Sequence, residues 1–282
     1  MQTALLTALT MLAFAANSVL TRMAVRDYAV EPLQFAAIRL LAGAAILVVL
    51  VALRGGGLGL GRERLPGAAA LLVYMLGFSL AYRGMDAGVG ALILFGGVQL
   101  TMFAGAVLAR EPVPALRWIG AVVALSGLAV LVLGPDPQRP DPQTALAAAP
   151  TAFMAAAALG WGVYSLIGRG AGDPLRATAA SFLLASPVAV LAALAAGGPM
   201  PSVPGVVLAL VSGSVTSGLG YALWYVVLPR LGRTRAAVAQ LTVPVIALLA
   251  GAALLGERPG PEVVLATALV LGGVALSLMR RG

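Results

Sequence analysis

The sequence contains no cysteine and no histidine, and all 18 of its basic residues are arginine. The absence of cysteine excludes disulfides, thiolate nucleophiles and cysteine-based zinc sites. The absence of histidine removes the imidazole that serves as a base, a metal ligand or a proton relay. Without lysine there is no Walker A lysine and no Schiff-base lysine. An intramembrane enzyme would need a nucleophile with its base, or a metal cluster. We therefore predict no enzymatic activity, no metal site and no cofactor.

Charge of either sign is also scarce. Only 10% of the residues are charged, 61% are hydrophobic, and the mean hydropathy is +1.01. A soluble domain carries about 25% charged residues, so this composition predicts an integral membrane protein. The apolar runs are long and continuous rather than alternating, which favours membrane-spanning helices of about 20 residues over the strands of a barrel.

The long apolar runs predict an all-α integral membrane fold with ten transmembrane helices. The breaks between them carry charge, glycine and proline. The predicted spans are 4–21, 33–53, 66–82, 87–109, 114–133, 145–168, 177–196, 203–228, 236–255 and 262–279. A cleaved signal peptide is an alternative for the first span, but no basic residue precedes it, and we favour a retained helix.

The net charge of +8 is carried by arginines that stand singly between apolar runs. A nucleic-acid interface needs a clustered basic face, so no nucleic-acid partner is predicted. If ten spans start from a cytoplasmic N-terminus, twelve arginines fall on the cytoplasmic side, five on the outer side and one inside a span. This satisfies the positive-inside rule and predicts a multi-pass protein of the inner membrane with both termini in the cytoplasm.

The chain also carries a weak internal repeat. Several positions recur at an offset of 146 or 147 residues: Gly105 and Gly251, Glu111 and Glu257, Ser18 and Ser165, and Arg22 and Arg169. The offset predicts two five-helix halves, residues 1–140 and 141–282. Because five is odd, the second half must enter the membrane with inverted topology, as in many secondary transporters.

Several local features occur in a recognisable order. They are Asn17-Ser18 late in span one, Pro32 and Arg39 at the start of span two, Glu111 after span four, Trp161-Gly162-Val163-Tyr164-Ser165 in span six, Pro244 in span nine and Glu257 after it. In these features the chain resembles ten-helix members of the drug/metabolite transporter superfamily, of the EamA-domain type, over its whole length. The resemblance implies a small-molecule substrate, a lipid bilayer environment, and export of amino acids or other small metabolites by alternating access. It also implies a cavity between the halves, lined by spans one, three, four, six, eight and nine.

One feature departs from related proteins. Four-helix multidrug members of the superfamily carry a glutamate in the first span, whereas all ten acidic residues here lie in or next to predicted loops. Proton coupling through a carboxylate in mid-membrane is therefore not predicted. A multidrug transporter, an organic-anion or nucleotide-conjugate transporter, and a structural membrane scaffold remain alternatives. The sequence leaves the oligomeric state, monomer or homodimer, open.

Polar and aromatic side chains inside the spans are candidates for substrate binding, because polar groups in hydrocarbon need a partner or a wet cavity. The candidates are Asn17, Ser18, Tyr74, Gln99, Trp161, Tyr164, Ser165, Ser214, Ser217, Tyr221, Trp224 and Gln240. Alternative roles are a helix–helix hydrogen bond for Asn17, an interfacial aromatic belt for Trp161 and Tyr164, and close helix packing for Ser214 and Ser217.

Arg39 is the single charged residue well inside a predicted span, since Arg117 and Glu262 lie in the first turns of theirs. It lies near the outer end, where it can extend to the interface and pair with Asp27 or Glu31. We predict a structural anchor, with binding of a substrate anion or a role in a gate as the alternatives. Pro187 and Pro244 interrupt spans seven and nine and predict either hinges or static kinks.

Four of the charged residues in the predicted turns are given specific roles. Glu111 and Glu257 are predicted to anchor turns or helix starts rather than to carry protons. Asp86 and Arg83 share a short outer turn, where a gate ion pair and a solvated turn are both possible.

Overall fold

A computed structural model describes residues 2–111, 113–133, 145–168 and 171–278, without the side chains of 145–147, 232–235 and 237. The described residues are helical and contain no β-strand. The α-helices are α1 Gln2–Arg26, α2 Pro32–Leu53, α3 Leu65–Ala81, α4 Ala87–Leu108, α5 Ala115–Leu133, α6 Ala145–Gly168, α7 Pro174–Ala196, α8 Val203–Val211, α9 Gly220–Gln240, α10 Thr242–Leu255 and α11 Pro261–Leu278. A 3-10 turn, Arg62–Arg64, precedes α3, and a π-helical segment, Ser212–Leu219, joins α8 to α9.

Ten of the helical stretches are long and apolar enough to cross a membrane. This confirms the predicted all-α fold with ten spans. The eighth span, Val203–Leu231, combines α8, the π-helical segment and the first part of α9. The predicted boundary between the halves, at residue 140, and Arg169 of the predicted repeat lie outside the described residues.

Local capping explains where several helices begin. The Glu31 carboxylate accepts hydrogen bonds from the backbone N–H groups of Leu33 at 2.7 Å and Gln34 at 3.0 Å. Asp173 caps α7 in the same way through the N–H of Arg176, at 3.1 Å. A proline follows each of these caps, where its fixed φ suits the first helical turn and its missing N–H costs nothing.

The π-helical segment is the main departure from the predicted geometry. Its sequence, Ser-Gly-Ser-Val-Thr-Ser-Gly-Leu, is poor in strong helix formers, and its backbone follows a wider turn than an α-helix. A Cβ placed on Gly213 would lie 2.7 Å from the Cβ of Ala42. Glycine at this position therefore lets the segment lie directly on α2.

Turns from both halves of the chain meet at one end of the bundle. A salt bridge of 2.9 Å joins Glu31, after α1, to Arg83, after α3. The amide nitrogen of Gln34 donates to the carbonyl oxygen of Gly197, after α7, at 3.0 Å. This end is the predicted outer end, because the turns that follow the odd-numbered spans lie together.

An ionic cluster ties the same end together. Arg22 lies 3.3 Å from a carboxylate oxygen of Asp86 and 3.7 Å from one of Glu257. Both oxygens of Glu257 also accept from the backbone N–H of Ala87, at 2.9 and 3.0 Å, so Glu257 caps α4 from the turn before α11. Burial raises the pKa of the Glu257 carboxyl, and the hydrogen bond from Ala87 offsets part of that rise.

The cluster corrects one expectation. Asp86 pairs with Arg22 rather than with Arg83, and Arg83 pairs with Glu31 instead. The short turn between α3 and α4 directs the two neighbouring charges to different helices, although they are three residues apart in the sequence. Glu111, the repeat counterpart of Glu257, is exposed in the turn after α4.

Candidate functional site

A small central cavity lies where helices from both halves of the chain meet. Its volume is about 10 Å³, which is room for about one water molecule. The lining residues are Phe14, Asn17, Tyr74, Phe78, Leu94, Phe95, Trp161 and Tyr221. They come from α1, α3, α4, α6 and α9, and thus from five of the six spans expected around a cavity. Within the described part of the chain, α10 of span nine contributes no lining residue.

Aromatic rings form most of the cavity wall. The ring centroid of Trp161 lies 4.9 Å from that of Tyr74, 5.0 Å from that of Tyr221 and 5.5 Å from that of Tyr164. Tyr221 makes a further edge contact with Phe14 at 5.6 Å. These distances lie in the range of favourable aromatic pairs. Trp161 and Tyr164 therefore belong to an interior cluster and not to an interfacial belt.

Asn17 joins α1 to the π-helical segment. Its side-chain oxygen accepts hydrogen bonds from the hydroxyls of Thr216 at 2.6 Å, Ser212 at 2.9 Å and Ser217 at 3.3 Å. Its nitrogen donates to the carbonyl oxygen of Thr216 at 3.3 Å. Asn17 thus makes the helix–helix hydrogen bonds expected as its alternative role, while it also lines the cavity.

Arg39 is fully buried beside the cavity. Its Nε donates to the Ser217 hydroxyl at 3.0 Å, and its Nη2 donates to the Tyr74 hydroxyl at 3.1 Å. The guanidinium carbon lies 5.0 Å from the ring centroid of Phe78 and 5.5 Å from that of Tyr74. The third nitrogen, Nη1, is buried without a hydrogen-bond partner.

The position of Arg39 corrects the expectation that it extends to the outer interface. Neither expected partner is available to it: Asp27 pairs with Arg26, and Glu31 pairs with Arg83 while capping α2. Across the described residues, Arg39 forms no ion pair with a carboxylate. The two hydroxyls and two rings around it are neutral, so its charge is held inside the bundle with no counter-charge from a described residue.

A second, larger cavity lies at the opposite end of the bundle from the ionic cluster. We call it the vestibule. Its volume is about 250 Å³, and its lining residues are Glu63, Arg64, Gly67, Tyr164, Ile167, Gly168, Ala171, Pro174, Ala177, Thr178, Ser181 and Tyr225. The Tyr164 hydroxyl donates to that of Thr178 at 3.0 Å, and the Thr178 hydroxyl lies 2.9 Å from that of Tyr225. Tyr164 also packs on Trp161, so one ring pair connects the lining of the vestibule with that of the central cavity.

Seven predicted binding residues line neither of these two cavities: Ser18, Gln99, Ser165, Ser214, Ser217, Trp224 and Gln240. Ser18 and Ser217 are buried, and the other five are partly exposed. The hydroxyl of Ser165 donates to the Trp161 carbonyl at 2.7 Å, and that of Ser214 donates to the Leu210 carbonyl at 2.7 Å. Both serines thus satisfy their hydroxyls within their own helix.

The π-helical segment explains why Ser214 does not line the central cavity. On uninterrupted α-helical spacing, the predicted binding residues Ser214, Ser217 and Tyr221 of span eight would share one face. A π turn holds more residues, so the face turns toward Ser212, Thr216 and Ser217 instead. Sequence reasoning missed Ser212 and Thr216. The available signal was the run of small polar residues in the middle of span eight.

The two predicted hinge residues lie away from both cavities. Pro187 is exposed within α7, and Pro244 is buried as the third residue of α10, one turn after the break at Leu241. Proline is well tolerated in the first turn of a helix, so Pro244 marks the start of α10 rather than an interruption within it.

The sequence profile of the EamA-like transporter family matches residues 1–133 and 150–279. The uncharacterized protein PA1977 of Pseudomonas aeruginosa is 46% identical to this chain over 281 residues, covering 99% of this chain and 96% of that protein. A crystal structure of a protein 22% identical in sequence has a TM-score of 0.71, covering 98% of this chain and 97% of the other. This last likeness concerns the fold alone.

Proposed function

The chain belongs to the EamA-like transporter family, and from this premise we propose that it is a secondary transporter that exports small metabolites such as amino acids across the inner membrane by alternating access. The family establishes a multi-pass membrane transporter. The substrate class, the direction and the mechanism are the proposal. Asn17, Tyr74, Trp161 and Tyr221 are its central binding residues, and Tyr164 lies on the route to them.

The observation that carries the proposal is the difference between the two ends of the bundle. The ionic cluster of Arg22, Asp86 and Glu257 closes one end, whereas the vestibule lies at the other. The vestibule and the central cavity meet at the Trp161–Tyr164 ring pair, because Tyr164 lines the first and Trp161 lines the second. A site that is reached from one end while the other is closed is what alternating access requires.

Helix packing supports two inverted five-helix halves. In two such halves α1 corresponds to α6, α3 to span eight, and α4 to α10. The contact of α3 with α6 then has its counterpart in span eight with α1, and the contact of α4 with α6 has its counterpart in α10 with α1. All four of these pairs are in contact. The pairs α2 with α7 and α5 with α11 map onto themselves, and both are among the most extensive contacts. This pattern supports a pseudo-two-fold relation between residues 1–140 and 141–282.

The distribution of arginine supports the direction of transport. The twelve-to-five excess favours a cytoplasmic position for the loop 54–64 and the turn after α6. The vestibule is lined by residues of these same segments. In this orientation the substrate enters from the cytoplasm while the outer end is closed, which is the loading state of an exporter.

Counterflow in proteoliposomes tests the proposal. Liposomes that contain the protein and an unlabelled amino acid should accumulate the labelled one, and a panel of amino acids and nucleotides should separate the substrate classes. Ser126→Ala is a matched control, because Ser126 lies exposed on α5 and bonds only within its own helix. Counterflow of no panel member above the level of empty liposomes would contradict the proposed substrate class.

A further inference from the structure

We propose that the transported molecule carries an anionic group, a carboxylate or a phosphate, and that Arg39 is the cation that selects it. This inference rests on the proposed transport function and names the chemistry of its substrate. It adds to the central cavity a charged residue that does not itself line the wall.

The hydrogen bonds of Arg39 leave part of its binding capacity unused. A guanidinium group carries five N–H donors and no acceptor. Nε and Nη2 each find one hydroxyl, on Ser217 and Tyr74, whereas Nη1 has no acceptor. Both acceptors are neutral hydroxyls, so they satisfy two of the N–H donors of the guanidinium but do not balance its positive charge.

The acidic residues of the described chain are committed elsewhere. Six of them pair with other arginines outside the bundle interior: Asp27, Glu31, Glu63, Asp86, Asp173 and Glu257. The other two, Glu111 and Glu262, lie in the turn before α5 and in the first turn of α11. A buried cation without a counter-ion is costly, and cation–π contacts with Tyr74 and Phe78 compensate only part of that cost. An anion that arrives as substrate would supply the missing charge.

Arg39 lies one side chain behind the wall of the central cavity. The rings of Tyr74 and Phe78 touch the guanidinium on one side and line the cavity on the other. Ser217, which accepts from Arg39, also donates to Asn17 of the wall. Charges interact strongly across a few ångströms of low-dielectric interior. The cavity therefore favours an anion and disfavours a cation even before any direct contact.

Opening the cavity would bring Arg39 into contact with the substrate. The observed volume of about 10 Å³ is far too small for a metabolite, so side chains must move on binding. If the Tyr74 ring moves aside, Nη2 loses its acceptor and becomes available next to the unpartnered Nη1. These two nitrogens form the fork that binds carboxylate or phosphate in bidentate geometry. Trp161 and Tyr221 would then pack on the apolar body of the same molecule.

The rival role for Arg39 is purely structural, as a link between α2, α3 and the π-helical segment. Such a link would affect folding without affecting which charge the cavity prefers. The deciding quantity is therefore charge selectivity rather than activity alone.

The test uses four compounds with similar aromatic bodies: 3-phenylpropionate, phenyl phosphate, the neutral 3-phenylpropionamide and the cationic 3-phenylpropylamine. Their binding to the purified full-length protein in detergent is measured by calorimetry. We expect at least one anion to bind about tenfold or more tightly than the amide and the amine. The two anions separate a carboxylate site from a phosphate site.

Three variants assign that selectivity. Arg39→Gln should remove the preference for the anion, and Arg39→Lys should retain part of it because a positive charge remains. Arg83→Gln, which removes an arginine at the outer end, should leave it unchanged. If Arg39→Gln does not fold, the test is the anion preference of the wild type compared with that of Arg39→Lys, which should be smaller.

Two results would overturn the inference: anions that bind the wild type no more tightly than the amide and the amine, or a preference that survives Arg39→Gln unchanged. Failure of the proposed function has a different signature. In that case the Arg39-dependent preference would be present in detergent, while no anion of the set would exchange across proteoliposomes.

Discussion

Asn17 and Thr216 are joined by two hydrogen bonds that run in opposite directions. The Thr216 hydroxyl donates to the side-chain oxygen of Asn17 at 2.6 Å, and the side-chain nitrogen of Asn17 donates to the Thr216 carbonyl at 3.3 Å. The residues are 199 positions apart, one on α1 and the other in the π-helical segment. The contact fixes the first helix against the second half of the chain at the cavity wall.

Replacing Asn17 should therefore reduce stability. In Asn17→Ala the buried hydroxyls of Ser212, Thr216 and Ser217 lose their shared acceptor, and a buried unsatisfied polar group costs about 1–3 kcal/mol. Thermal unfolding in detergent should show a lower midpoint than for the wild type, while Ser126→Ala should be unchanged. Equal midpoints for Asn17→Ala and the wild type would show that these hydrogen bonds do not hold α1.

The cavity wall should be sensitive to changes at Trp161. Its ring contacts those of Tyr74, Tyr164 and Tyr221, and each aromatic pair contributes about 0.5–1.5 kcal/mol beyond area burial. Trp161→Ala should raise the substrate concentration that gives half-maximal counterflow by roughly tenfold or more. Trp118→Ala is the matched control, because Trp118 is half exposed on α5 and lines neither cavity. An equal effect of the two variants would remove Trp161 from the substrate route.

The stability of the outer end should depend on pH through Glu257. Burial raises the pKa of its carboxyl above the ordinary value of 4.5, so the folded state binds this proton more readily than the unfolded state. The contribution of the protonated Glu257 carboxyl to stability is complete below about pH 4.5, and it is lost as the pH rises through the raised pKa of the folded state. Glu257→Gln keeps an acceptor for the Ala87 N–H but does not titrate.

The unfolding midpoint of the wild type, relative to that of Glu257→Gln, should accordingly rise as the pH falls from about 7 to 5. The comparison cancels the titration of the other carboxyls, which act on both proteins alike. A relative midpoint that falls over this range would show that attraction to Arg22 outweighs burial.

The orientation of the chain can be checked with reporter tags. Tags at the N-terminus, at the C-terminus and within 54–64 should be cytoplasmic, and a tag within 136–142 should be external. The reason is that, with ten spans, twelve arginines fall on the side of the termini and five on the opposite side. Activity of enzymatic reporters in intact cells reads the side of each tag. A periplasmic C-terminus would rule out both the orientation and the inverted repeat.

Transport should respond only weakly to an imposed pH gradient. The eight described acidic residues lie at helix ends and in turns, and none of them lines the central cavity, so none of these eight is placed to carry a proton through mid-membrane. Counterflow rates with and without the gradient provide the measurement. A steep acceleration that disappears when a single acidic residue is changed would assign proton coupling to that residue.

The sequence by itself determined the membrane fold. Ten apolar stretches separated by charge, glycine and proline predict ten helices, and the helical boundaries in the structure lie close to the predicted ones. Hydropathy and helix capping are local properties, since a continuous stretch must fill the hydrocarbon core with its own residues. The ordered motifs were likewise sufficient for the family.

The structure alone decided where the polar residues point. Arg39 meets Ser217 across 178 positions, and the π-helical segment turns Ser212 and Thr216, rather than Ser214, toward Asn17. An uninterrupted α-helical period would place Ser214 on the face of Ser217, whereas in the π-helical segment its hydroxyl bonds back to Leu210 of its own helix. Whether a charge is buried depends on which helices surround it, and that is a property of packing between distant segments, not of the residues beside it in the chain.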